Sequence, residues 1–227
     1  MTERGKLYVI EGGDGSGKAT QAEKTREYAT SLGKNVLKRS FPRYGEPSAS
    51  VVERYLNGEF GDVNSVPAEF AAYAFAVDRL AGTAEIRTHI EQGDDHIAIL
   101  DRYRASNLAH QGAKIRDLQK RRDFYVWGER METEDLGMLE PDHTVVLLVP
   151  PEISHENVAN KDKRDYTDKT HDIHEADMDY QGRVKLAYEE LCALFPDRYV
   201  PIECTDMDGH MRTREAIQLD IRTALGL

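Results

Sequence analysis

The chain has 227 residues, of which 40% are hydrophobic and 31% charged, a composition typical of a globular protein and not of a disordered or fibrous one. Its 30 basic and 41 acidic residues give a net charge of -11, which argues against a nucleic-acid-binding surface. Neither a membrane-spanning apolar run nor a secretory signal is visible, so we expect a cytoplasmic protein that binds no membrane.

The first predicted unit is a strand, a loop and a helix. The apolar run at residues 7–10 predicts a buried strand, and the glycine-rich stretch 12–17 predicts a tight loop after it. From 18 to 32 neither Gly nor Pro interrupts the chain, and Gly33 then stands where glycine commonly ends a helix. The sequence therefore predicts a helix that begins directly after the loop.

The loop carries a phosphate-binding pattern. Its glycines let successive backbone N–H groups point at an anion, and the following helix adds the positive end of its dipole. Lys18 supplies charge for the β- and γ-phosphates of ATP, whereas Ala19 replaces the hydroxyl residue that usually reaches Mg²⁺, and Thr20 follows. The residues expected to bind ATP are Gly12, Gly13, Asp14, Gly15, Ser16, Gly17, Lys18, Ala19 and Thr20.

Strands and helices alternate along the rest of the chain. The strands are predicted at 35–41, 96–101, 144–149 and 199–204, and the helices at 48–57, 67–92, 106–127, 174–194 and 211–225. Apolar residues at three- and four-residue spacing give the helix at 67–92 a face that we expect to be buried. This face consists of Phe70, Tyr73, Ala74, Val77, Leu80, Ala81 and Ala84.

This alternation predicts an α/β fold. We expect a three-layer sandwich of the P-loop NTPase type, with a parallel sheet of about five strands and helices on both of its faces. A single domain is expected over residues 1–227. Within it, residues 152–171 are rich in charge and poor in large apolar side chains, which favours a mobile lid segment.

A carboxylate ends the strand predicted at 96–101. From that position Asp101 can face the phosphate-binding loop across the end of the sheet and hold Mg²⁺. The alternative for Asp101 is a helix N-cap. Arg102, next to it, adds a guanidinium group that suits a phosphate.

Four segments together resemble thymidylate kinase, a P-loop family that phosphorylates dTMP with ATP. They are residues 11–21 (EGGDGSGKATQ), 41–44 (FPRY), 75–79 (FAVDR) and 101–107 (DRYRASN). The resemblance covers nearly the whole chain and implies a magnesium-dependent homodimer that supplies dTDP for DNA precursors. The alternatives are a nucleoside monophosphate or deoxynucleoside kinase of other specificity and a non-catalytic nucleotide-binding protein.

The resemblance also implies individual roles. Arg43 and Arg102 would hold the acceptor phosphate, Arg79 would donate to a pyrimidine carbonyl and Asn107 would read the ring N3 edge. Phe75 would stack on the thymine, with core packing as the alternative. The substrate-binding set is Asp14, Phe41, Pro42, Arg43, Phe75, Arg79, Arg102, Ser106, Asn107, His110, Asp172 and His174. The metal set is Asp14, Asp101 and Glu175, and the catalytic set is Lys18, Asp14, Arg102 and Arg164.

Two positions depart from the family pattern. His110 stands where many relatives have Tyr or Phe near the sugar C2′, which leaves the selection of deoxyribose over ribose open. Gly15 stands where some relatives carry an Arg, and the relatives with Gly at this position typically supply the transition-state cation from the lid instead. Arg164, the only Arg in the lid segment, is our candidate for that cation, the alternative being a solvated charged loop.

The segment after the lid has two interpretations. Residues 172–175 (DIHE) resemble the Asp-x-Tyr-Glu sequence of bacterial relatives, which makes Asp172 and Glu175 candidates for contact with the metal or the substrate. The same spacing fits an N-cap and its capping-box partner. Likewise, the apolar face of the helix at 67–92 could form the dimer interface or join the core.

Overall fold

The computed structural model describes residues 4–159 and 178–227, and these form a parallel sheet flanked by helices. The strands are β1 (Lys6–Gly12), β2 (Asn35–Ser40), β3 (His96–Asp101), β4 (His143–Leu148) and β5 (Val200–Glu203). The helices are α1 (Lys18–Ser31), α2 (Ser50–Leu56), α3 (Ala68–Ile90), α4 (Arg104–Gly112), α5 (Leu118–Arg130), α6 (Pro151–Ala159), α7 (Met178–Leu194) and α8 (Arg214–Leu225). A 3₁₀ turn at Pro47–Ala49 precedes α2, and a π-helical turn at Met131–Asp135 follows α5.

The sheet places β1 at its centre. The strand order is β2-β3-β1-β4-β5, with all neighbouring strands parallel. Ile10 pairs with Asp101 on one side, and Gly12 pairs with Leu147 on the other. Both faces of the central strands are covered, which explains their almost uninterrupted apolar sequences.

The two faces carry different helices. Ile10 and its neighbours on one face pack against α1 and α8, whereas the opposite face of the sheet packs against α3, α4, α5 and α7. After β1 the chain therefore crosses to one face of the sheet, and after the adjacent strand β3 it crosses to the other face. In open α/β sheets this arrangement creates a crevice at the carboxyl ends of those strands, where ligands bind.

The predicted fold class is confirmed, but the single helix predicted at 106–127 is wrong. The structure has α4 and α5 there, separated by residues 113–117. Asp117 is the N-cap residue of α5, and its side chain accepts a hydrogen bond from the backbone N–H of Lys120 at 2.9 Å. This cap starts a second helix.

The predicted burial of the apolar face of α3 is also wrong for its large side chains. Phe70, Tyr73, Val77 and Leu80 are between 40% and 53% exposed. Ala74 is buried, whereas Ala81 and Ala84 are exposed. The face of α3 that packs inward instead carries small side chains together with two charged ones, including Ala71, Ala72, Gly82, Asp78 and Arg79.

No helix in the described ranges is both long and apolar enough to cross a membrane.

Candidate active site

A cavity of about 280 Å³ lies at the carboxyl ends of β1 and β3. The predicted site residues that line it are Asp14, Gly15, Gly17, Lys18, Ala19, Phe41, Pro42, Phe75, Arg79, Asp101, Arg102, Ser106, Asn107 and His110. The cavity thus joins the phosphate-binding loop to the groups expected to read a base. Its lining also includes residues that sequence reasoning missed, namely Ser40, Tyr44, Leu56, Tyr103 and Gln111.

The phosphate-binding loop needs glycine at two tightly packed positions. Gly12 has a φ of +144°, and a Cβ there would lie 2.6 Å from the carbonyl oxygen of Leu147. Gly15 has a φ of +75°, and a Cβ there would lie 2.0 Å from the carbonyl oxygen of Ser154. An Arg at position 15 would therefore displace the backbone of α6.

The loop turns its backbone toward the start of α1. Gly17 occupies the N-cap position with a left-handed backbone, and the first turn of α1 contains no acidic residue. The buried ammonium group of Lys18 donates to the Gly13 carbonyl at 2.5 Å. A positive side chain and the positive end of a helix dipole thus meet at one loop, which is the arrangement that binds phosphates.

Arg102 is held in a strained backbone conformation. It is the one non-glycine residue among those described with a positive φ, +70°, a conformation that costs about 1–3 kcal/mol. Its Nη2 donates to the Asp14 carboxylate, and its Nη1 donates to Ser106 Oγ at 3.1 Å. Burial alone would lower the pKa of Arg102, but the Asp14 carboxylate raises it above its usual value, so the guanidinium is charged.

A buried network beneath the loop supports Arg102. The carboxylate of Glu11 accepts from the backbone N–H of Tyr103 at 2.7 Å and from the hydroxyl of Ser106. Burial is the main reason why the pKa of Glu11 is raised. Tyr188 contacts Ser106 at 2.9 Å and donates to the carbonyl of Gly12 at 3.0 Å. The network therefore ties the loop to α4 and α7.

Phe75 and Asn107 lie at the other end of the cavity. Phe75 packs edge-on against Tyr55, with ring centroids 6.2 Å apart, and also lines the cavity, so core packing describes only part of its environment. Asn107 is buried, and its Nδ2 donates to the carbonyl of Ala72 at 3.1 Å and to Glu132 at 2.9 Å. Arg79 forms a buried ion pair with the same Glu132.

Arg43 does not line the cavity. Its guanidinium is held by Asp78 at 3.1 Å and by the hydroxyl of Ser48 at 2.7 Å, and it lies 6.0 Å from the ring centroid of Phe41. Phe41 separately lines the cavity, and its bond to Pro42 is cis. Of the two arginines expected to hold the acceptor phosphate, the structure brings one into the cavity and places the other beside it.

The carboxylates that could hold a metal fit Mg²⁺. Asp14 and Asp101 both line the cavity, and carboxylate oxygens are ligands that Mg²⁺ prefers. Ala19 offers no hydroxyl, and the exposed Thr20 is not part of the cavity lining. Tyr103 occupies the N-cap position of α4, so the N-cap interpretation of Asp101 is wrong.

Four predicted site residues lie outside the described residues. They are Arg164, Asp172, His174 and Glu175. The predicted lid segment begins within α6, which contacts the phosphate-binding loop: Asn157 Nδ2 donates to the carbonyl of Gly15 at 2.9 Å. The rest of the predicted lid, from residue 160 to 171, also lies outside the described residues.

Gln111 is the missed residue with the clearest sequence signal. It follows Asn107 by one helical turn, so both side chains project from the same face of α4. Gln111 is fully buried, and neither polar atom of its amide has a hydrogen-bond partner in the structure described here. Buried amides are rarely left without partners, and the place of Gln111 in the cavity lining puts its amide within reach of a water or a ligand bound there.

His110 contacts the central guanidinium group. Its Nε2 lies 3.4 Å from Arg102 Nη1, and because Arg102 is always a donor, Nε2 is the accepting nitrogen. Burial lowers the pKa of His110 from 6.5 to about 3. His110 is therefore neutral at physiological pH, which leaves Arg102 without a like charge beside it.

This low pKa predicts a loss of stability in mild acid. Between pH 6.5 and about 3, the unfolded chain binds a proton at His110 that the folded chain does not, so the free energy of unfolding falls as the pH drops. From pH 7.5 to 5.5 we expect wild type to lose about 1.4 kcal/mol more than His110→Phe in urea unfolding. Equal losses in the two proteins would contradict the assignment.

The chain is similar to thymidylate kinases over most of its length. A family model for thymidylate kinase matches residues 10–208. A thymidylate kinase of Mycobacterium tuberculosis (strain CDC 1551 / Oshkosh) is 36% identical over 188 residues, covering 82% of this chain and 86% of that protein. A thymidylate kinase of Bifidobacterium longum subsp. infantis is 29% identical over 223 residues, covering 97% of this chain and 88% of that protein.

A solved structure shows the same fold. A thymidylate kinase from Candida albicans matches with a TM-score of 0.70 at 23% sequence identity. The match covers 98% of this chain and 92% of the Candida albicans chain. The likeness therefore extends across the sheet and the helices on both of its faces.

Proposed function

The chain belongs to the thymidylate kinase family, and we propose that its cavity is where the γ-phosphoryl group of ATP passes to the 5′-phosphate of dTMP. The chain is a phosphotransferase of the dTMP kinase class, and the products are ADP and dTDP. We further propose that the chain works as a single domain and in the cytoplasm, where ATP and dTMP occur together.

The observation that carries the proposal is the orientation of the Asn107 side-chain amide. Its Oδ1 is buried and has no hydrogen-bond partner among the described residues, while Asn107 itself lines the cavity. A buried acceptor of this kind favours a ligand with a donor, and the N3–H of thymine is such a donor. Arg79 and Phe75 line the same end of the cavity and suit a carbonyl oxygen and a flat ring.

The opposite end of the cavity suits the phosphates. Lys18 and the N-terminus of α1 would hold the β- and γ-phosphates of ATP, and Arg102 would hold the acceptor phosphate. An acceptor phosphate oxygen is already a nucleophile at neutral pH, so no covalent enzyme intermediate is needed. Positioning and charge neutralisation are then the protein's main contributions to the rate.

We propose that Asp101 and Asp14 hold Mg²⁺ with ATP. When bound, the ion would neutralise charge on the transferring phosphates. Gly15 has no room for a side chain, so residue 15 cannot supply a cation to the transition state. We propose that this cation comes from another segment. Arg164 remains our candidate for it, and Glu175 remains a candidate ligand for the metal.

We propose that the chain forms a homodimer through α3 and α5. The exposed apolar side chains of α3 continue onto α5, where Val126 is exposed and Trp127 contacts Tyr73 with ring centroids 5.5 Å apart. A contiguous exposed apolar surface of this kind is typical of protein interfaces. A second copy of the chain would cover it.

One substitution in this surface is expected to break the dimer. Leu80→Glu places a charge in the proposed interface, so we expect sedimentation analysis to show a monomer, whereas the wild type sediments as a dimer. Leu219→Glu is the matched control, because Leu219 is exposed on α8, which covers the other face of the sheet. The same mass for all three proteins would contradict the proposal.

The reaction itself is tested by product analysis. Purified protein is incubated with ATP, Mg²⁺ and dTMP, and the nucleotides are separated by ion-exchange chromatography. We expect one dTDP for each ADP formed. ADP without dTDP would mean hydrolysis of ATP, and the absence of both products would favour the non-catalytic alternative.

A further inference from the structure

Glu132 is a buried carboxylate outside the cavity lining. It lies in the π-helical turn after α5, where the backbone N–H of Leu136 bonds to the carbonyl of Met131 at 3.0 Å. Glu132 is fully buried, and the residues that line the cavity do not include it. Isolated π-helical turns often occur at functional sites, because they re-aim side chains that an α-helix would direct elsewhere.

Glu132 binds two groups that do line the cavity. Its Oε2 accepts from Arg79 Nε at 2.8 Å, and its Oε1 accepts from Arg79 Nη2 and from Asn107 Nδ2, the latter at 2.9 Å. Arg79 and Asn107 are themselves almost fully buried. One carboxylate therefore fixes both side chains that are proposed to read the base.

The contacts of Asn107 determine which end of its amide is available. The carbonyl of Ala72 and the carboxylate of Glu132 can only accept hydrogen bonds, so they both require the NH₂ end of the amide. The other end, Oδ1, is then the one without a partner. If the amide of Asn107 were turned by 180°, its oxygen would face the carbonyl of Ala72 and the carboxylate of Glu132, which are both acceptors.

The contacts of Arg79 likewise determine which edge of its guanidinium is available to a ligand. Nε and Nη2 lie on one edge of the guanidinium and are both engaged by Glu132. The opposite edge carries Nη1, which can only donate. An acceptor carbonyl on a ligand suits this edge, whereas an amino group does not.

From these contacts we infer that Glu132 is a positioning residue that makes the cavity select a pyrimidine with a donor at N3 and an acceptor at C4. Thymine and uracil have this pattern, and cytosine has the opposite one. The inference rests on the proposed function, because it assumes that the base lies between Arg79 and Asn107. It assigns the choice between thymine and cytosine to a residue that does not touch the base.

Glu132→Gln tests this inference with little change in shape. Whichever way the new amide turns, it sets an NH₂ group against Arg79, and in one orientation against Asn107 as well. We expect the ratio of kcat/KM for dTMP to that for dCMP to fall at least about 10-fold. The dTMP/dUMP ratio should not change, because those bases differ only in a methyl group that Glu132 does not influence.

The kinetic pattern distinguishes positioning from general damage. We expect Glu132→Gln to raise KM for dTMP and to leave KM for ATP unchanged, while Glu132→Asp, which keeps both acceptors, retains most of the preference. Glu129→Gln is the matched control, since Glu129 is a buried glutamate on α5 that pairs with Arg198 at 2.6 Å and does not line the cavity. This control should lower thermal stability without altering either ratio.

An unchanged dTMP/dCMP ratio in a folded Glu132→Gln protein would overturn the inference. A wild type without activity on dTMP would instead overturn the proposed function, so the two failures are distinguishable. Should Glu132→Gln fail to fold, NMR of the wild type replaces it. The Nδ2 protons of Asn107 are expected to be protected from exchange with and without dTMP, and rapid exchange in either state would contradict the inference.

Discussion

Lys18→Ala is expected to lower kcat at least about 10³-fold at saturating ATP and dTMP. Lys18 is the buried cation at the start of α1, and its ammonium lies against the loop where the β- and γ-phosphates are proposed to bind. Among the described residues, the other cationic side chains that line the cavity are Arg79 on α3 and Arg102 after β3, and neither lies at the start of α1. The loss should therefore appear in turnover and not only in the binding of ATP.

The control for this variant is on the same helix. Lys24 lies further along α1 and pairs at the surface with Glu215 at 3.1 Å, so Lys24→Ala should have near wild-type kinetics. ADP release measured with both variants separates loss of the phosphate-binding cation from loss of one positive charge. Near-normal activity of Lys18→Ala would rule out the phosphate-binding assignment.

Arg102→Lys should lower kcat/KM for dTMP about 10² to 10³-fold, with a smaller effect on KM for ATP. A lysine keeps the charge, but it cannot bind Asp14 and Ser106 at once in the geometry of a guanidinium. It also has to adopt the left-handed backbone of Arg102 without those contacts. Both effects displace the charge from the acceptor phosphate.

The matching control is Arg26→Ala, which removes a surface ion pair with Glu23 on α1. We expect its kinetics to match those of the wild type in the same steady-state assay. If Arg102→Lys retains wild-type kcat/KM for dTMP, then charge alone suffices at this position. The expectation that the acceptor phosphate needs a guanidinium held by Asp14 and Ser106 would then be wrong.

Local signals in the sequence predicted the sheet and the phosphate end of the site. The apolar run that ends at Asp101 has the bounds of β3, because charged or polar residues flank it on both sides. In the loop from Gly12 to Lys18, the glycines allow the positive φ angles that the turn requires, so the sequence itself indicates the conformation of the loop. Asp14, Arg102 and Lys18 then meet because the chain leaves β1 and β3 at the same end of a parallel sheet.

Tertiary contacts explain what the sequence did not predict. Periodicity shows that α3 has an apolar face, but it does not show whether that face meets the sheet or lies on the surface. In the structure, Ala72 and Gly82 allow α3 to pack closely inward, so Tyr73 and Val77 face outward. The break before α5 had a readable signal in Asp117, a good N-cap residue.

The supporting residues of the site had no such signal. Glu132 follows Arg79 by 53 residues and Asn107 by 25, and nothing in the neighbourhood of Glu132 in the sequence marks it as their partner. Asp78 holds Arg43 across 35 residues in the same way. Such contacts depend on how helices pack, which a single sequence does not reveal.

We propose that one cavity recognises both a thymine ring and a phosphate on the acceptor. The most direct test is ADP release with ATP and Mg²⁺, measured for dTMP, dUMP, UMP, dCMP, dAMP, dGMP and thymidine under the same conditions. We expect the highest kcat/KM for dTMP, a lower value for dUMP, and little turnover of dCMP or thymidine. Efficient use of thymidine would contradict the acceptor phosphate contact of Arg102, and efficient use of dCMP would contradict the base-reading roles of Arg79 and Asn107.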